Sequence, residues 1–364
     1  MVILKDIITL KLRKAGVYIH SSITRRYPPL TRVINDFCSR RHMFFNGINI
    51  ILTHKCNLGC EYCYEKGAEL NYGDISLDNF EKILKWLRKN KKDKIILLGG
   101  EPTLHPDFRD ILRISEGNKM RIAILTNMIC NGKNIQAMVN YKRYLVIQAN
   151  INNPATYRGP SYALAYDNIK RLYNAKCNVI LRYNMYKDNY DFDNIVRIAK
   201  EINARIRFSA INSPVSCQKG AKKNENFREM YPKDKIIEFL DSCDKERVSA
   251  FFARPVPKCI FNQEEIRKYK KNAIKFKCYI GKNGDYAARL VVNPDLSIMG
   301  CYGVPIKGPA ITSFKSIKDL SDYYKGHYIR LRKIPLTQEC VNCPDYLNDI
   351  CQGGCLSEKE DWSF

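Results

Sequence analysis

The stretch Cys56-Asn57-Leu58-Gly59-Cys60-Glu61-Tyr62-Cys63 presents three cysteines, separated by three and then by two residues. It follows the apolar run Ile48-Asn49-Ile50-Ile51-Leu52, which predicts a buried strand. A cubane iron–sulfur cluster needs four ligands, normally four cysteine thiolates. A tight loop with three thiolates leaves one iron open, and a small chelating molecule can bind to it. We therefore expect an iron–sulfur site just after the first strand.

This cysteine spacing, with Tyr62 before the last cysteine, resembles the cluster loop of the radical S-adenosylmethionine (SAM) enzymes. In that family the open iron binds the amino and carboxylate groups of SAM, and the cluster reduces SAM to a 5′-deoxyadenosyl radical. The resemblance implies that Cys56, Cys60 and Cys63 bind a [4Fe–4S] cluster. It also implies that Tyr62 flanks the adenine of SAM.

Strand-like and helical segments alternate from residue 47 onward. A plausible N-cap, Ser76, precedes the clearest amphipathic stretch, which covers residues 77–87. Six β-α units in about 165 residues predict an α/β fold with a parallel sheet and outer helices, because an eight-unit barrel needs roughly 250 residues. They suit the partial (β/α)6 TIM-like barrel that the resemblance implies, with its chemistry at the C-terminal strand ends. The predicted strands are Ile48–Leu52, Ile95–Leu98, Ile122–Thr126, Leu145–Ala149, Val179–Tyr183 and Arg205–Ala210.

Further motifs occur at the predicted strand ends. Gly99-Gly100-Glu101-Pro102 resembles the family's GGEP motif, whose backbone contacts the amino group of SAM; glycines permit a close approach because they lack a Cβ. Thr126-Asn127 is similar to the TN(G) motif, although Met128 replaces the usual Gly. Asn150 and Arg182 are candidate cofactor ligands or plain structural polar residues. As a cofactor ligand, Arg182 would hold the SAM carboxylate with its charged fork.

The C-terminal part carries a second set of cysteines, and a hairpin over residues 289–300 is predicted to present one of them, Cys301. The set resembles the SPASM/twitch extension, which binds auxiliary [4Fe–4S] clusters in a small cysteine-rich domain beside the barrel. It departs from that pattern in three places. Leu296 replaces a Gly, a spacing of five residues is seven here, and no cysteine follows Cys355. The set comprises Cys259, Cys278, Cys301, Cys340, Cys343, Cys351 and Cys355.

The family pattern implies two auxiliary ligand sets. Cys278, Cys301 and Cys355 would bind the cluster near the barrel, with Cys259 as the fourth ligand. Three thiolates would remain for a distal cluster, from Cys340, Cys343 and Cys351, so one or two auxiliary clusters are expected. A single zinc ion held by Cys340, Cys343, Cys351 and Cys355 is the alternative, because this spacing also suits tetrahedral zinc.

These motifs divide the chain into five predicted parts. Cys217, which follows the sixth strand, is the one candidate for a catalytic residue. The parts are a basic helical extension (1–45), a radical SAM core (46–212), a linker with one helix at 233–243 (213–258), a SPASM/twitch-like domain (259–358) and a tail (359–364).

The amino-acid composition limits which partners and which cellular compartment can be expected for this protein. Its 61 Lys and Arg outnumber 37 Asp and Glu, which suggests either an anionic partner or a solvated basic surface. No basic run is interleaved with aromatic residues, so a nucleic-acid partner is disfavoured. Fifteen cysteines favour metal or redox chemistry in a reducing compartment. Because no apolar run approaches roughly 18–20 residues and no signal peptide is recognisable, a cytoplasmic protein without a transmembrane segment is expected.

The resemblance implies an oxidoreductase that abstracts a hydrogen atom from a substrate. Auxiliary clusters suit net oxidation, so a maturase that modifies a peptide or protein is expected, with flavodoxin or ferredoxin as the reductant. The alternative is a dehydrogenase or epimerase acting on a small molecule such as a sugar or amino-cyclitol. A third interpretation, a non-catalytic iron–sulfur or zinc protein that binds nucleic acid, leaves the Gly99–Pro102 motif without a purpose.

Overall fold

The computed structural model describes residues 47–60, 62–63, 73–157, 159–186, 191–211, 231–272, 274–281 and 284–359. The predicted basic extension, most of the first half of the predicted linker with Cys217, and residues 360–364 lie outside this set. Across the described residues, none of the helices has the length and apolar character needed to cross a membrane.

A parallel sheet forms the centre of the described structure. Its strands are hydrogen-bonded in chain order, and all six predicted strands are present. The strands are β1 (Ile48–Ile51), β2 (Lys94–Leu98), β3 (Arg121–Thr126), β4 (Leu145–Asn150), β5 (Asn178–Tyr186), β6 (Arg205–Ile211) and β7 (Ala250–Phe252). The last, β7, pairs with β6 and lies where a linker was predicted, because three residues are too short for a recognisable pattern.

Helices connect successive strands, as expected for a parallel sheet. Ser76 caps the first of them, with its hydroxyl oxygen accepting a hydrogen bond from the Asn79 N–H at 3.1 Å, and Phe80 and Leu84 on its apolar stripe are fully buried. This confirms the predicted start of the helix. The connecting helices are α1 (Leu77–Lys89), α2 (Phe108–Gly117), α3 (Gly132–Asn140), α4 (Ser161–Asn174), α5 (Asp193–Glu201) and α6 (Lys233–Lys245).

The two faces of the sheet differ in chemistry. Ile147, Leu181 and Ile206 on β4, β5 and β6 are fully buried in the hydrophobic core shared with the helices. Residues that alternate with them point to the opposite face, and several are polar or charged. That inner polar face includes Gln148, Asn150, Arg182, Asn184 and Arg207.

The C-terminal part extends the same sheet. The predicted hairpin is present as β8 (Val291–Val292) and β9 (Ser297–Cys301), and β8 also pairs in parallel with β1. β10 (Val304–Ala310) pairs antiparallel with β9, so the strand order is β10-β9-β8-β1-β2-β3-β4-β5-β6-β7. This order places Cys301 two strands away from the loop that follows β1. The remaining helices are α7 (Gln263–Lys268), α8 (Ile317–Lys333), α9 (Gln338–Val341) and α10 (Pro344–Leu347).

Two departures from the family motifs share one backbone feature. Met128 and Leu296 occupy positions where glycine is expected, and both have left-handed backbones with φ of 64° and 73°. A non-glycine residue in this conformation costs roughly 1–2 kcal/mol. Both side chains are buried, which offsets that cost through apolar burial of similar size. The turns therefore keep the conformation that glycine normally supplies.

Candidate active site

Three thiols converge in the loop after β1. The Cys63 N–H donates to the Cys60 carbonyl at 3.2 Å, which closes the turn between them. Burial raises the pKa of Cys56 to about 11, and the nearby charges of Glu101, Cys63 and Cys60 act in the same direction. The three sulfurs are thus close enough to influence one another. This donor set fits a cubane cluster with three thiolates and one open iron.

Two asparagines join this loop to the end of β3. Asn127 Nδ2 donates to Asn57 Oδ1 at 2.8 Å and lies 4.0 Å from Cys56 Sγ. Asn57 Nδ2 donates to the Ile129 carbonyl at 2.7 Å, and the Ile129 N–H donates to Asn127 Oδ1 at 2.8 Å. Asn127 was predicted as a site residue, but Asn57 was not. Its position directly after Cys56 was the only signal in the sequence.

The glycines of the Gly99–Pro102 motif lie against the cysteine loop. A Cβ on Gly99 would sit 2.2 Å from the Thr53 carbonyl oxygen, and one on Gly100 would sit 2.3 Å from the Lys55 carbonyl oxygen. The Gly100 N–H donates to Thr53 O at 2.8 Å. The close approach seen here is therefore between two backbone segments, and it fixes the motif beside the three thiols. Pro102 is buried and begins a short 3-10 turn.

Glu101 is a buried carboxylate that braces the strand ends. Its Oε1 accepts from the hydroxyls of Thr103 at 2.6 Å and Thr126 at 2.8 Å, and its Oε2 accepts from the Asn127 N–H at 2.7 Å. Burial raises the pKa of Glu101, while these hydrogen bonds favour its charged form. Because both carboxylate oxygens of Glu101 accept hydrogen bonds within the protein, its side chain aligns the end of β2 with the end of β3. Any contact between this turn and a bound molecule is then made by the backbone of the turn.

Tyr62 and Asn150, which are both predicted cofactor-binding residues, lie together at the ends of the strands. The Tyr62 hydroxyl oxygen accepts from Asn150 Nδ2 at 3.1 Å and also from Asn152 Nδ2. Asn184 Nδ2 donates to Asn150 Oδ1 at 2.8 Å, and the Tyr62 ring meets the ring of Tyr186 edge-on at 5.7 Å. The loop after β1 is thereby tied to the ends of β4 and β5.

Arg182 belongs to a row of polar residues across the inner face. It is paired in register with Asn150 on one side and with Arg207 on the other. Arg182 and Arg207 each direct Nη1 at Gln148 Oε1, at 3.2 and 3.4 Å. Arg207 was not predicted as a site residue. The alternation of polar and apolar residues in Arg205-Ile206-Arg207-Phe208-Ser209 was the available signal.

Four C-terminal cysteines form what we call the four-thiol group: Cys259, Cys340, Cys343 and Cys351. The pKa of Cys259 is raised to about 11, mainly by burial. The nearby charges of Cys351, Cys340 and Cys343 raise it as well. The Cys343 N–H donates to the Cys340 carbonyl at 3.2 Å, which repeats the turn between Cys60 and Cys63. Four thiols in one place fit a fully ligated cubane.

Three other cysteines form the three-thiol group: Cys278, Cys301 and Cys355. Burial raises the pKa of Cys301, and Cys278 is the thiol neighbour that raises it further. Burial likewise raises the pKa of Cys355 to about 12, with Cys278 again a neighbour. The thiol neighbour that acts on both Cys301 and Cys355 is Cys278, which belongs to this set. This set fits a cubane with one iron that lacks a cysteine ligand.

The family pattern implied Cys259 as the fourth ligand beside Cys278, Cys301 and Cys355, whereas the structure places Cys259 near Cys351, Cys340 and Cys343. Lys258, the residue before Cys259, is held by the C-terminal loop. The Lys258 N–H donates to Cys351 Sγ at 3.4 Å, and Lys258 Nζ pairs with Asp345 Oδ1 at 2.6 Å. Sequence spacing could not reveal this anchoring, because it joins segments about 90 residues apart.

The zinc alternative required Cys340, Cys343, Cys351 and Cys355 to meet. The structure instead places Cys355 beside Cys278, so this set is not brought together. In the described ranges no three His, Cys, Asp or Glu side chains are arranged to hold a single metal ion. A cubane differs from an ion because each of its thiolates binds a separate iron.

Comparison with known proteins agrees with this geometry. Residues 50–208 match the family model of the Radical SAM superfamily. The chain contains a radical SAM domain. The domain spans the three-cysteine loop, the Gly99–Pro102 motif and the polar row of β4–β6. Radical SAM proteins use a [4Fe–4S] cluster and SAM.

Two curated relatives share parts of the chain. The antilisterial bacteriocin subtilosin biosynthesis protein AlbA of Bacillus subtilis is 24% identical over 232 residues, which cover 59% of this chain and 50% of AlbA. The tungsten-containing aldehyde ferredoxin oxidoreductase cofactor-modifying protein of Pyrococcus furiosus is 40% identical over 78 residues, covering 21% of this chain and 22% of that protein. The chain therefore spans 50% of the length of AlbA and 22% of the length of the Pyrococcus furiosus protein.

Solved structures share the fold over more of the chain. Streptococcus suis SuiB bound to its precursor peptide SuiA has a TM-score of 0.60 at 18% identity, covering 90% of this chain and 76% of SuiB. Native anSMEcpe with bound AdoMet has a TM-score of 0.62 at 15% identity, covering 86% of this chain and 91% of that chain. These likenesses confirm the partial barrel fold.

Proposed function

We propose that this protein is a radical SAM maturase that oxidatively modifies a peptide or protein. The observation that carries the proposal is the convergence of Cys56, Cys60 and Cys63 beside the polar inner face of the barrel, at the C-terminal strand ends where chemistry occurs in such folds. The radical SAM domain favours this reading over a non-catalytic iron–sulfur or zinc protein.

The three thiolates of Cys56, Cys60 and Cys63 would hold a [4Fe–4S] cluster. When bound, the cluster and SAM together supply a 5′-deoxyadenosyl radical that abstracts a hydrogen atom from the substrate. The chain's own residues position these groups. Asn57 and Asn127 fix the cysteine loop, and Glu101 aligns the strand ends beneath it.

The remaining predicted cofactor contacts surround this loop. The backbone of Gly99, Gly100, Glu101 and Pro102 would meet the amino group of SAM. Arg182 would hold its carboxylate, since a guanidinium binds a carboxylate with two parallel hydrogen bonds. Tyr62, held by Asn150, would flank the adenine.

A peptide substrate is supported by the relatives' printed descriptions. SuiB was crystallised with a precursor peptide, and AlbA is a bacteriocin biosynthesis protein. The four-thiol and three-thiol groups would bind auxiliary clusters that accept electrons from the substrate, so the reaction would be a net oxidation. We place the reaction in the cytoplasm, with a flavodoxin or ferredoxin as the reductant.

The test is SAM cleavage by anaerobically reconstituted protein under reduction. We expect 5′-deoxyadenosine from the parent protein and none above background from the Cys56→Ala/Cys60→Ala/Cys63→Ala variant, which should keep its auxiliary iron. The matched control is Cys177→Ala, which removes a buried thiol outside the three cysteine groups. Equal 5′-deoxyadenosine from the parent and the triple variant would show that another site cleaves SAM.

A further inference from the structure

Lys359 is a buried lysine beside the four-thiol group. The residue is 1% exposed, although lysine is rarely buried so fully unless it is paired with a charge. Its Nζ donates to the Arg332 carbonyl and to the Tyr346 hydroxyl oxygen, each at 3.3 Å, and lies 5.1 Å from the centre of the Tyr346 ring. None of these neighbours carries a negative charge. Within the part of the chain that the structure describes, no carboxylate forms an ion pair with Lys359.

The hydrogen bonds of Lys359 do not account for its burial. The Arg332 carbonyl belongs to the last turn of α8, where carbonyl groups lack partners inside the helix. The Tyr346 hydroxyl already donates to that carbonyl at 2.6 Å, which is a shorter contact than the one from Lys359. Burial, together with the charge of Arg332, disfavours the charged form of Lys359 and lowers its pKa to about 8. A neutral side chain of similar length would avoid that cost.

The charges that favour the charged form of Lys359 come from the four-thiol group. Cys340 and Cys351 both act on Lys359 in this direction. The contact with Tyr346 places the ammonium beside the loop that carries these cysteines, because the Tyr346 N–H donates to the Cys343 carbonyl at 3.0 Å. A cubane held by four thiolates is an anion, and its charge becomes more negative by one on reduction. A bound cluster would therefore offset the cost of burying this lysine.

We propose that Lys359 is the counter-cation of the cluster in the four-thiol group and that it raises the reduction potential of this cluster. A fixed positive charge in a low-dielectric interior stabilises the more negative, reduced form more than the oxidised form. Lys359 would act through the cluster and has no contact with the substrate in this role. Its effect is therefore on a potential, which can be measured without turnover.

This inference deepens the proposed function and rests on it for the source of the electron. After hydrogen abstraction, completing a two-electron oxidation requires the substrate radical to lose one electron to an auxiliary cluster and one proton to solvent. A higher potential of the accepting cluster makes this electron transfer more favourable. The four-thiol group offers a thiol for each iron and suits electron transfer. Lys359 would thus favour net oxidation of the substrate.

The experiment is a redox titration of the reconstituted full chain, followed by EPR spectroscopy. The Cys56→Ala/Cys60→Ala/Cys63→Ala background restricts the signals to the auxiliary clusters, and a parallel sample with Cys301→Ala identifies the signal of the four-thiol group. At a fixed potential, we expect Lys359→Met to raise the ratio of oxidised to reduced cluster in that group about tenfold, which is about 59 mV for one electron. The signal of the three-thiol group should shift less.

Further variants separate the charge of Lys359 from its hydrogen bonds. Lys359→Gln keeps a hydrogen-bond donor but removes the charge, so it should lower the potential as Lys359→Met does. Lys359→Arg keeps the charge and should retain most of the parent potential. The matched control is Lys318→Met, which removes an exposed lysine paired with Asp322 on α8 and should leave the potential unchanged. If Lys359→Arg does not fold, the two neutral variants decide the question.

The apo protein gives a second measurement. Before reconstitution, Lys359→Met should unfold at a higher denaturant concentration than the parent, because the variant no longer buries a charge without an anion. Reconstitution should narrow this difference, since the cluster then supplies the anion in the parent. A difference that is the same before and after reconstitution would contradict the pairing of Lys359 with the cluster.

Two outcomes of the redox experiment would also overturn the inference. An equal potential in the parent and both neutral variants would show that Lys359 is a structural hydrogen-bond donor. A four-thiol group that takes up zinc or no iron would leave Lys359 with no cluster to act on. The proposed function is tested separately, by SAM cleavage. If the variants shift the potential but the parent makes no 5′-deoxyadenosine, the proposed function is contradicted and the role of Lys359 stands.

Discussion

The four-thiol and three-thiol groups differ in how their sulfurs are surrounded. In the four-thiol group, Cys351 Sγ accepts from the N–H groups of Lys258 at 3.4 Å and Gly353 at 3.3 Å, and Cys340 Sγ accepts from the Thr337 hydroxyl at 3.6 Å. In the three-thiol group, Cys355 Sγ accepts from the Ser357 hydroxyl at 3.1 Å. The first group offers one thiol for each iron of a cubane, whereas the second leaves one iron without a cysteine.

This difference in the number of thiols predicts different roles for the clusters that the two groups would bind. A cluster with four thiolates has no labile position and suits electron transfer, while a cluster with an open iron can bind an external ligand. The three-thiol group is also the one that lies near Arg254 and Arg289. We therefore expect the two groups to respond differently to mutation, chelation and substrate.

The largest expected effect concerns Cys259. Cys259→Ala should destabilise or remove the cluster of the four-thiol group, because it deletes one of four ligands, and should leave the other auxiliary cluster. Cys301→Ala should do the reverse. Iron and zinc analysis with Mössbauer spectroscopy on the reconstituted variants measures this. Loss of the same cluster in both variants, or stoichiometric zinc in the parent, would contradict the grouping.

A chelator should remove iron from the clusters of the three-thiol and four-thiol groups at different rates. An iron without a cysteine ligand exchanges more readily, so the cluster of the three-thiol group should lose iron at least several-fold faster than that of the four-thiol group. EPR spectra taken during chelation of the Cys56→Ala/Cys60→Ala/Cys63→Ala variant follow both signals without the SAM cluster. Simultaneous loss of the two signals would mean that both clusters are equally ligated.

The apo protein should show a pH dependence from Lys275. Burial, together with Arg207 and Arg289, lowers the pKa of Lys275 to about 7. Because its unfolded pKa is about 10.4, the unfolded chain binds more protons between these values, and stability should rise with pH from about 7 to 10. Below pH 7 both states are protonated and this contribution is constant. Denaturant titrations of the parent and Lys275→Met should differ most at pH 7 and below, with the variant more stable.

The smallest expected effect concerns Tyr328 on α8. Its hydroxyl is fully buried, has no hydrogen-bond partner in the described structure and lies near Cys301, Cys278 and Cys355. Tyr328→Phe should stabilise the apo protein by about 1 kcal/mol, because a buried unsatisfied group is removed. In the reconstituted protein it should lower the reduction potential of the three-thiol cluster, because hydrogen bonds to cluster sulfurs raise that potential.

The matched control for this prediction lies one turn earlier on the same helix. The Tyr324 hydroxyl donates to the Ile306 carbonyl at 3.2 Å, so Tyr324→Phe should cost about 1 kcal/mol of apo stability. It should leave the cluster potential unchanged. An equal potential for the Tyr328→Phe variant and the parent in a redox titration would show that the Tyr328 hydroxyl does not donate to the cluster.

Sequence reasoning worked best where the signal was local. The strands from β1 to β6 are short apolar runs, and the α1 cap is a single serine followed by a helical apolar stripe. It did less well where an element was short or the pattern polar. The three residues of β7 were assigned to a linker, and Lys359, predicted to be in the tail, is buried with Nζ donating to the Arg332 carbonyl at 3.3 Å.

The sequence by itself determined the radical SAM domain, because the spacing of Cys56, Cys60 and Cys63 and the glycines at 99 and 100 are set by local backbone requirements. Only the tertiary structure decided which C-terminal thiols meet and which cations share the barrel interior. Cys259 joins Cys351 across about 90 residues, and Arg207 and Arg289 come from different segments. The physical reason is that thiol grouping and charge clustering depend on long-range packing, which residue spacing does not encode.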